Sequence, residues 1–294
     1  MQLTPIEKVD DISAEEFRAH YLKPKKPLII RNLAKSWPAY TKWTWDYFKR
    51  LVGEVEVGVY NNIRAGANVP VNGDDGRMKF GEYLDMIQKG PVELRIFLFN
   101  IFKYAPRIVE DFTFPMQYTK AFLKKYPMLF VGGAGSIAHM HYDIDLSHIF
   151  HTQFLGRKRV LLFDNAQSPL IYKMPLTVES SASFVEWQDG VDEEKFPALK
   201  HAKGYETILE HGDTMFMPSG YWHHMQYLDS GFAMSLRALP DTLGEKLNGA
   251  YHILPMRLMN NLIIKMAPEW WYHKKRVIAK ANAEAAMREL GVAQ

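Results

Sequence analysis

A chain of 294 residues, 47% of them hydrophobic and 23% charged, has ample material for the core of one large domain or two small ones. Its formal charge of +3 is too small and too evenly spread to argue for nucleic acid or an anionic membrane surface as a partner. The absence of cysteine removes disulfides, thiolate zinc sites and cysteine nucleophiles together, so a bound metal has to be held by nitrogen and oxygen.

The N-terminus lacks the basic head and apolar core of a secretory signal, and no apolar run approaches the length of a membrane span. The chain therefore reads as soluble and cytoplasmic. Ser13 and Glu16 have capping-box spacing and open a short helix through Phe17 and Tyr21. After a solvated basic turn at Lys23–Lys26 comes a brief strand, Leu28–Ile30. Thr44 is placed to cap a helix that Gly53 closes, and Val55–Tyr60 alternates as a strand. Residues 72–76, Asn-Gly-Asp-Asp-Gly, form a turn cluster. Phe80, Tyr83, Leu84 and Ile87 follow the spacing of an amphipathic helix that ends at Gly90, and Leu94–Phe99 is a buried-type strand.

From about residue 128 the texture changes to short strands and turns. Strands are expected near Met128–Val131, His139–Asp143, His148–Leu155 and Arg159–Phe163, then at Tyr205–Leu209, Thr214–Met217, His223–Leu228 and Phe232–Leu239, with turns at Gly156 and at Gly212-Asp213. Between them, residues 164–204 show little periodicity and read as a substrate-facing lid. Many short strands with regular turns point to a sandwich or barrel. Beyond Pro240 the pattern is helical to the end, with an apolar stripe at Leu258, Met259, Leu262, Ile263 and Met266. Those last fifty or so residues are too apolar to hang free. They either pack on their own barrel or form a subunit interface, and the interface is the expected use.

One stretch organises this arrangement. On a strand, His141 and Asp143 share a face because side chains alternate with period two. His223, in Pro218-Ser-Gly-Tyr-Trp-His-His224, is the best candidate for a third ligand from elsewhere in the fold. Two histidines and one carboxylate fill three positions of an octahedron and leave the others open, as a non-heme Fe(II) oxygenase requires. The bland reading of His-x-Asp is a chance pair on an exposed strand. His139 is a candidate supporting residue, His151 a possible pocket lining, and Asp145 the competing carboxylate; His224 points the other way.

The run Ala138-His-Met-His-Tyr-Asp143, then Phe154-Leu-Gly-Arg-Lys-Arg-Val-Leu-Leu-Phe163, Lys203-Gly-Tyr-Glu-Thr207 and the segment from Gly212 to His224 resembles the Jumonji C and cupin-like oxygenases. The likeness covers about residues 10–240 and points to the branch with the asparaginyl hydroxylase of hypoxia-inducible factor. It implies a mainly β fold with flanking helices: a double-stranded β-helix (jelly-roll) oxygenase domain over 1–240, and a C-terminal helical segment over 241–294 that serves as a homodimer interface. It implies Fe(II) held by His141, Asp143 and His223, with 2-oxoglutarate as cosubstrate. It also places Lys158 against the far carboxylate of that cosubstrate. Lys158 shares its strand face with Val160 and Leu162, so it points inward unless Arg157–Arg159 is merely an exposed basic turn. Three positions depart from the relative: Ala138 and Phe97 lack hydroxyls that bond the cosubstrate there, and Arg237 replaces an asparagine, where it is expected to clamp a cosubstrate carboxylate. The implied activity is a hydroxylase acting on a protein side chain or a small molecule. A metal cupin that does not use 2-oxoglutarate, and a non-catalytic binding barrel, are the rival readings.

Overall fold

The computed structural model describes residues 1–63, 67, 74–176, 183–187 and 190–292. The N-terminal third contributes β1 (Gln2–Pro5), β2 (Lys8–Val9), α1 (Ala14–Phe17), β3 (Leu28–Ile30), α2 (Ala39–Lys42), α3 (Trp45–Val52), β4 (Glu56–Val59), β5 (Gly76–Lys79), α4 (Phe80–Gln88) and β6 (Arg95–Phe99). Eight strands follow: β7 (Met128–Gly132), β8 (Ile137–His141), β9 (His148–Leu155), β10 (Lys158–Phe163), β11 (Lys203–Leu209), β12 (Thr214–Met217), β13 (Trp222–Tyr227) and β14 (Gly231–Ala238). Helices α5 (Leu243–Tyr251), α6 (Arg257–Met266) and α7 (Pro268–Glu289) complete the chain. No helix among the described residues is long and apolar enough to cross a membrane.

The eight strands wind as a jelly roll. One sheet runs β1-β11-β10-β13-β8 and the other β2-β3-β12-β9-β14-β7-β6, so successive strands keep crossing between two facing sheets. The expected fold is the observed one. Alternation sorts the side chains: Val160 and Leu162 of β10 join Ile149, Met215 and Met217 in the space between the sheets, whereas Leu161 and Phe163 face outward. Phe150, Phe154, Phe216 and Phe232 cover the outer face of the longer sheet, beneath the N-terminal helices.

Local signals set those helices. Ser13 and Glu16 complete a reciprocal capping box, and the Thr44 hydroxyl accepts from the Tyr47 N–H at 3.1 Å. Asp111, 3% exposed, ties α2 and α3 down by accepting from Lys42 Nζ (2.6 Å), Trp43 Nε1 (2.9 Å) and Tyr47 Oη (3.0 Å). Gly156 (φ 72°) and Gly212 (φ 87°) make the two expected turns in the left-handed region that glycine tolerates. Residues 72 and 73 of the expected turn cluster lie outside the described residues.

One expectation changes. The described part of 164–204 is no loose lid: Leu170, Ile171, Tyr172, Phe196 and Leu199 are buried in a second core on the outer face of the shorter sheet. Ala279 and Ala283 of α7, both fully buried, pack into the same core, because small side chains let the helix approach closely. Ordering here comes from apolar burial, which sequence periodicity does not report for irregular chain. Helices α5 and α6 expose more of their apolar side chains than α7 does: Leu247, Leu258, Leu262 and Met266 are 60–76% exposed.

Candidate metal centre

His141 ends β8 and His223 lies second in β13, where the two are direct cross-strand partners. Their ring centroids are 4.1 Å apart. The ladder is regular beyond them only after a bulge: His223 pairs with His141, but Met225 pairs with Ala138. The extra residue re-aims the strand, so Ala138 and His141 both line the interior cavity, although simple alternation puts them on opposite faces. His139 turns outward instead, and its Nε2–H donates to Asn62 O at 2.8 Å.

Asp143 reaches the site in a different way from the one expected. The strand stops at His141, so Asp143 comes from the following turn rather than from strand alternation. It still meets the two histidines: His141, Asp143 and His223 each place a ligand atom within 4.8 Å of the others. Asp145 does not join them. Its carboxylate accepts instead from Ser147 Oγ (2.8 Å) and from Arg237.

Both histidines are prepared as ligands. His141 Nδ1–H donates to His139 O (2.6 Å) and His223 Nδ1–H to Tyr221 O (3.2 Å). A carbonyl only accepts, which fixes the proton on Nδ1 and leaves the Nε2 lone pair for a metal. Burial lowers both pKa values, that of His223 to about 3, so both rings are neutral at pH 7. Burial alone raises the Asp143 pKa; the Arg237 guanidinium beside it outweighs burial and holds the group ionised.

The other residues assigned from sequence fall on the same cavity. Lys158 is 1% exposed; its Nζ lies 4.3 Å from the Tyr227 ring centroid and donates to His151 Nε2 at 3.1 Å. No described carboxylate shifts its charge, and burial lowers its pKa to about 7. His151, fixed by Ser235 Oγ at 2.7 Å, does line the cavity and is the partner of Lys158 there. Its signal is the shared inward parity on β9. Arg237 takes a role other than the expected clamp: Nη2 donates to Asp143 Oδ1 at 2.9 Å and Nη1 to both Asp145 oxygens at 3.1 Å. Arg95 lines the cavity as well and donates to Asn61 O at 2.6 Å.

A jelly roll with two Nε2 lone pairs and one ionised carboxylate converging in a cavity has the fold of a cupin and a donor set that could hold a metal ion through nitrogen and oxygen. A model of the cupin-like domain matches residues 13–275. The chain belongs to that cupin-like family, whose Jumonji C members are 2-oxoglutarate oxygenases. It is similar to lysine-specific demethylase 8 of Xenopus tropicalis, at 26% identity over 237 residues, covering 79% of this chain and 52% of that protein. It is 27% identical over 248 residues to arginine-specific demethylase JMJ22 of Arabidopsis thaliana, covering 78% and 45%. With the tRNA wybutosine-synthesizing protein 5 of Gallus gallus it shares 25% over 274 residues, 81% of each chain. The chain thus spans about half the length of the two demethylases. None of the three bears on the asparaginyl hydroxylase branch.

Proposed function

We propose that the chain is an Fe(II)- and 2-oxoglutarate-dependent oxygenase of the hydroxylase type, with His141, Asp143 and His223 as the iron ligands. One observation carries the reading: Lys158 is a fully buried amine in the candidate metal cavity with no carboxylate among the described residues to neutralise its charge. A lone buried cation is costly unless an anion joins it, and a dicarboxylate that also reaches the metal supplies one. Fe(II) together with 2-oxoglutarate activates dioxygen for attack on a C–H bond, and no protein acid or base is needed for that chemistry.

The chain's own residues bind, orient and exclude water. His141 and His223 present Nε2, and Asp143 supplies charge. Lys158 holds the far carboxylate, with His151 fixing the direction of its Nζ. Phe97, Phe130, Met217 and Met225 give the cavity apolar walls, which strengthen each charged contact inside. Attack on a C–H bond also begins removal of an N-methyl group, so protein side chains, methylated or not, and small molecules are the substrate classes. The exposed apolar side of α5 and α6 is the homodimer surface in this proposal, which sizing with light scattering tests directly.

The test is an anaerobic titration of the Fe(II)-loaded protein with 2-oxoglutarate, followed by visible absorption. A weak charge-transfer band that is lost in Lys158→Ala supports the reading. Bound iron without a band sinks it in favour of a metal cupin of other chemistry, and failure to bind iron favours a binding barrel.

A further inference from the structure

Asp143 has little in its own chain to hold it. It follows the last residue of β8 by two positions, in a turn where no ladder fixes the direction of its side chain. A carboxylate also carries two equivalent oxygens, and a free one can take a second coordination position or swing out of the site. Arg237 removes both freedoms. It enters from β14, on the inward face it shares with Ser235, and donates to Oδ1 of Asp143 at 2.9 Å. Oδ2 is left for the metal.

We infer that Arg237 is a positioning residue, which sets the single oxygen through which Asp143 holds the metal. The inference rests on the reading of His141, Asp143 and His223 as ligands. Arg237 is held in turn by Asp145, through two contacts of 3.1 Å, and Asp145 by Ser147, whose N–H and hydroxyl donate to it at 3.3 and 2.8 Å. Behind Asp145 stands α5: a Cβ on Gly249 would come within 2.8 Å of the Asp145 carbonyl oxygen. The three charged side chains are only 13–25% exposed, so water screens them weakly. Without the guanidinium, two carboxylates face each other with no cation between them, and Asp143, on the less constrained chain, is the one that turns away. A purely structural ion pair would be felt in folding and not at the metal.

The experiment uses the full chain, freed of metal and titrated with Co(II), whose visible spectrum reports both affinity and coordination number. The variants are Arg237→Met, Arg237→Lys and Asp145→Asn. Loss of an outer partner of a metal ligand commonly weakens affinity by about 10- to 100-fold, and Arg237→Met is expected in that range with altered band positions. Arg237→Lys keeps the charge, though not the fork that bridges two carboxylates, and recovers part of the affinity. Asp145→Asn leaves the contact to Asp143 and gives a smaller loss. Thermal unfolding of the metal-free variants shows that each is folded. Wild-type affinity and spectrum in Arg237→Met overturn this inference alone, whereas a wild-type chain that takes no Co(II) overturns the metal reading and this inference with it.

Discussion

His141 and His223 are direct partners across the β8–β13 ladder, their rings 4.1 Å apart, and each is fixed by a carbonyl two residues back in its own chain. The pair is therefore preorganised before any metal arrives. His223→Ala leaves two ligands, and stoichiometric iron is expected to be lost while the metal-free fold persists. In the wild type, metal at about 100 times its Kd adds about 2.7 kcal/mol of stability. Metal analysis and thermal unfolding with and without Fe(II) check both halves.

The neighbouring His224 predicts the opposite outcome. It is 1% exposed and both of its ring nitrogens are buried without a partner among the described residues. Leaving polar atoms unpaired costs about 1–3 kcal/mol. His224→Leu is expected to keep the metal and to match or exceed wild-type stability, read from denaturant midpoints.

Lys158 predicts a pH dependence of cosubstrate binding. Burial brings its pKa down to about 7, so the free protein sheds this proton as pH rises through neutrality, and a carboxylate anchor needs the ammonium. Affinity for 2-oxoglutarate should fall toward about tenfold per pH unit above that point and be accompanied by proton uptake. Calorimetry in buffers of different ionisation enthalpy measures the uptake. Lys158→Met should lose the pH dependence together with most of the affinity, and its metal-free stability should not fall.

Acid should loosen the metal-free fold well before the carboxylates titrate. Burial lowers the pKa of His148, and burial with Lys158 lowers that of His151. Each group's folded pKa lies below its unfolded value near 6.5, so the unfolded chain binds more protons. Stability present above that value is lost as pH falls below it, by up to about 1.4 kcal/mol per pH unit for each group. Denaturant melts between about pH 7 and pH 5 measure the slope, and His151→Phe should flatten it.

Asp111 is the keystone of the N-terminal helices, with Trp43, Lys42 and Tyr47 all donating to it. Asp111→Ala strands the buried Trp43 N–H and should cost about 2–4 kcal/mol without changing metal stoichiometry.

Much of this is legible in the chain itself, for reasons that differ from place to place. Regular strands obey alternation, so Val160 and Leu162 locate Lys158 inside the barrel, and the caps at Ser13 and Thr44 act over three or four residues and need no tertiary context. The bulge at β8 breaks alternation by one residue, and nothing local in Ala138–His141 announces it. Asp143 does meet His141 and His223, but from the chain after β8 rather than by strand alternation, and sequence alone does not separate the two routes. Arg237 looks free in sequence because Asp143 and Asp145 lie more than ninety positions away. The described part of 164–204 packs against α7 and Trp222, contacts which no local periodicity encodes.

Asn62 lies along β8 in the place a further strand would occupy: its side-chain oxygen accepts from Ile137 N–H at 2.8 Å, its amide donates to Gly135 O at 3.0 Å, and its carbonyl takes the His139 proton. β8 is the outer strand of its sheet, and an outer strand with open N–H and C=O groups is a template for a second chain. One asparagine thus takes up hydrogen-bonding groups along the edge that carries His141, which leaves fewer of them open to a second chain.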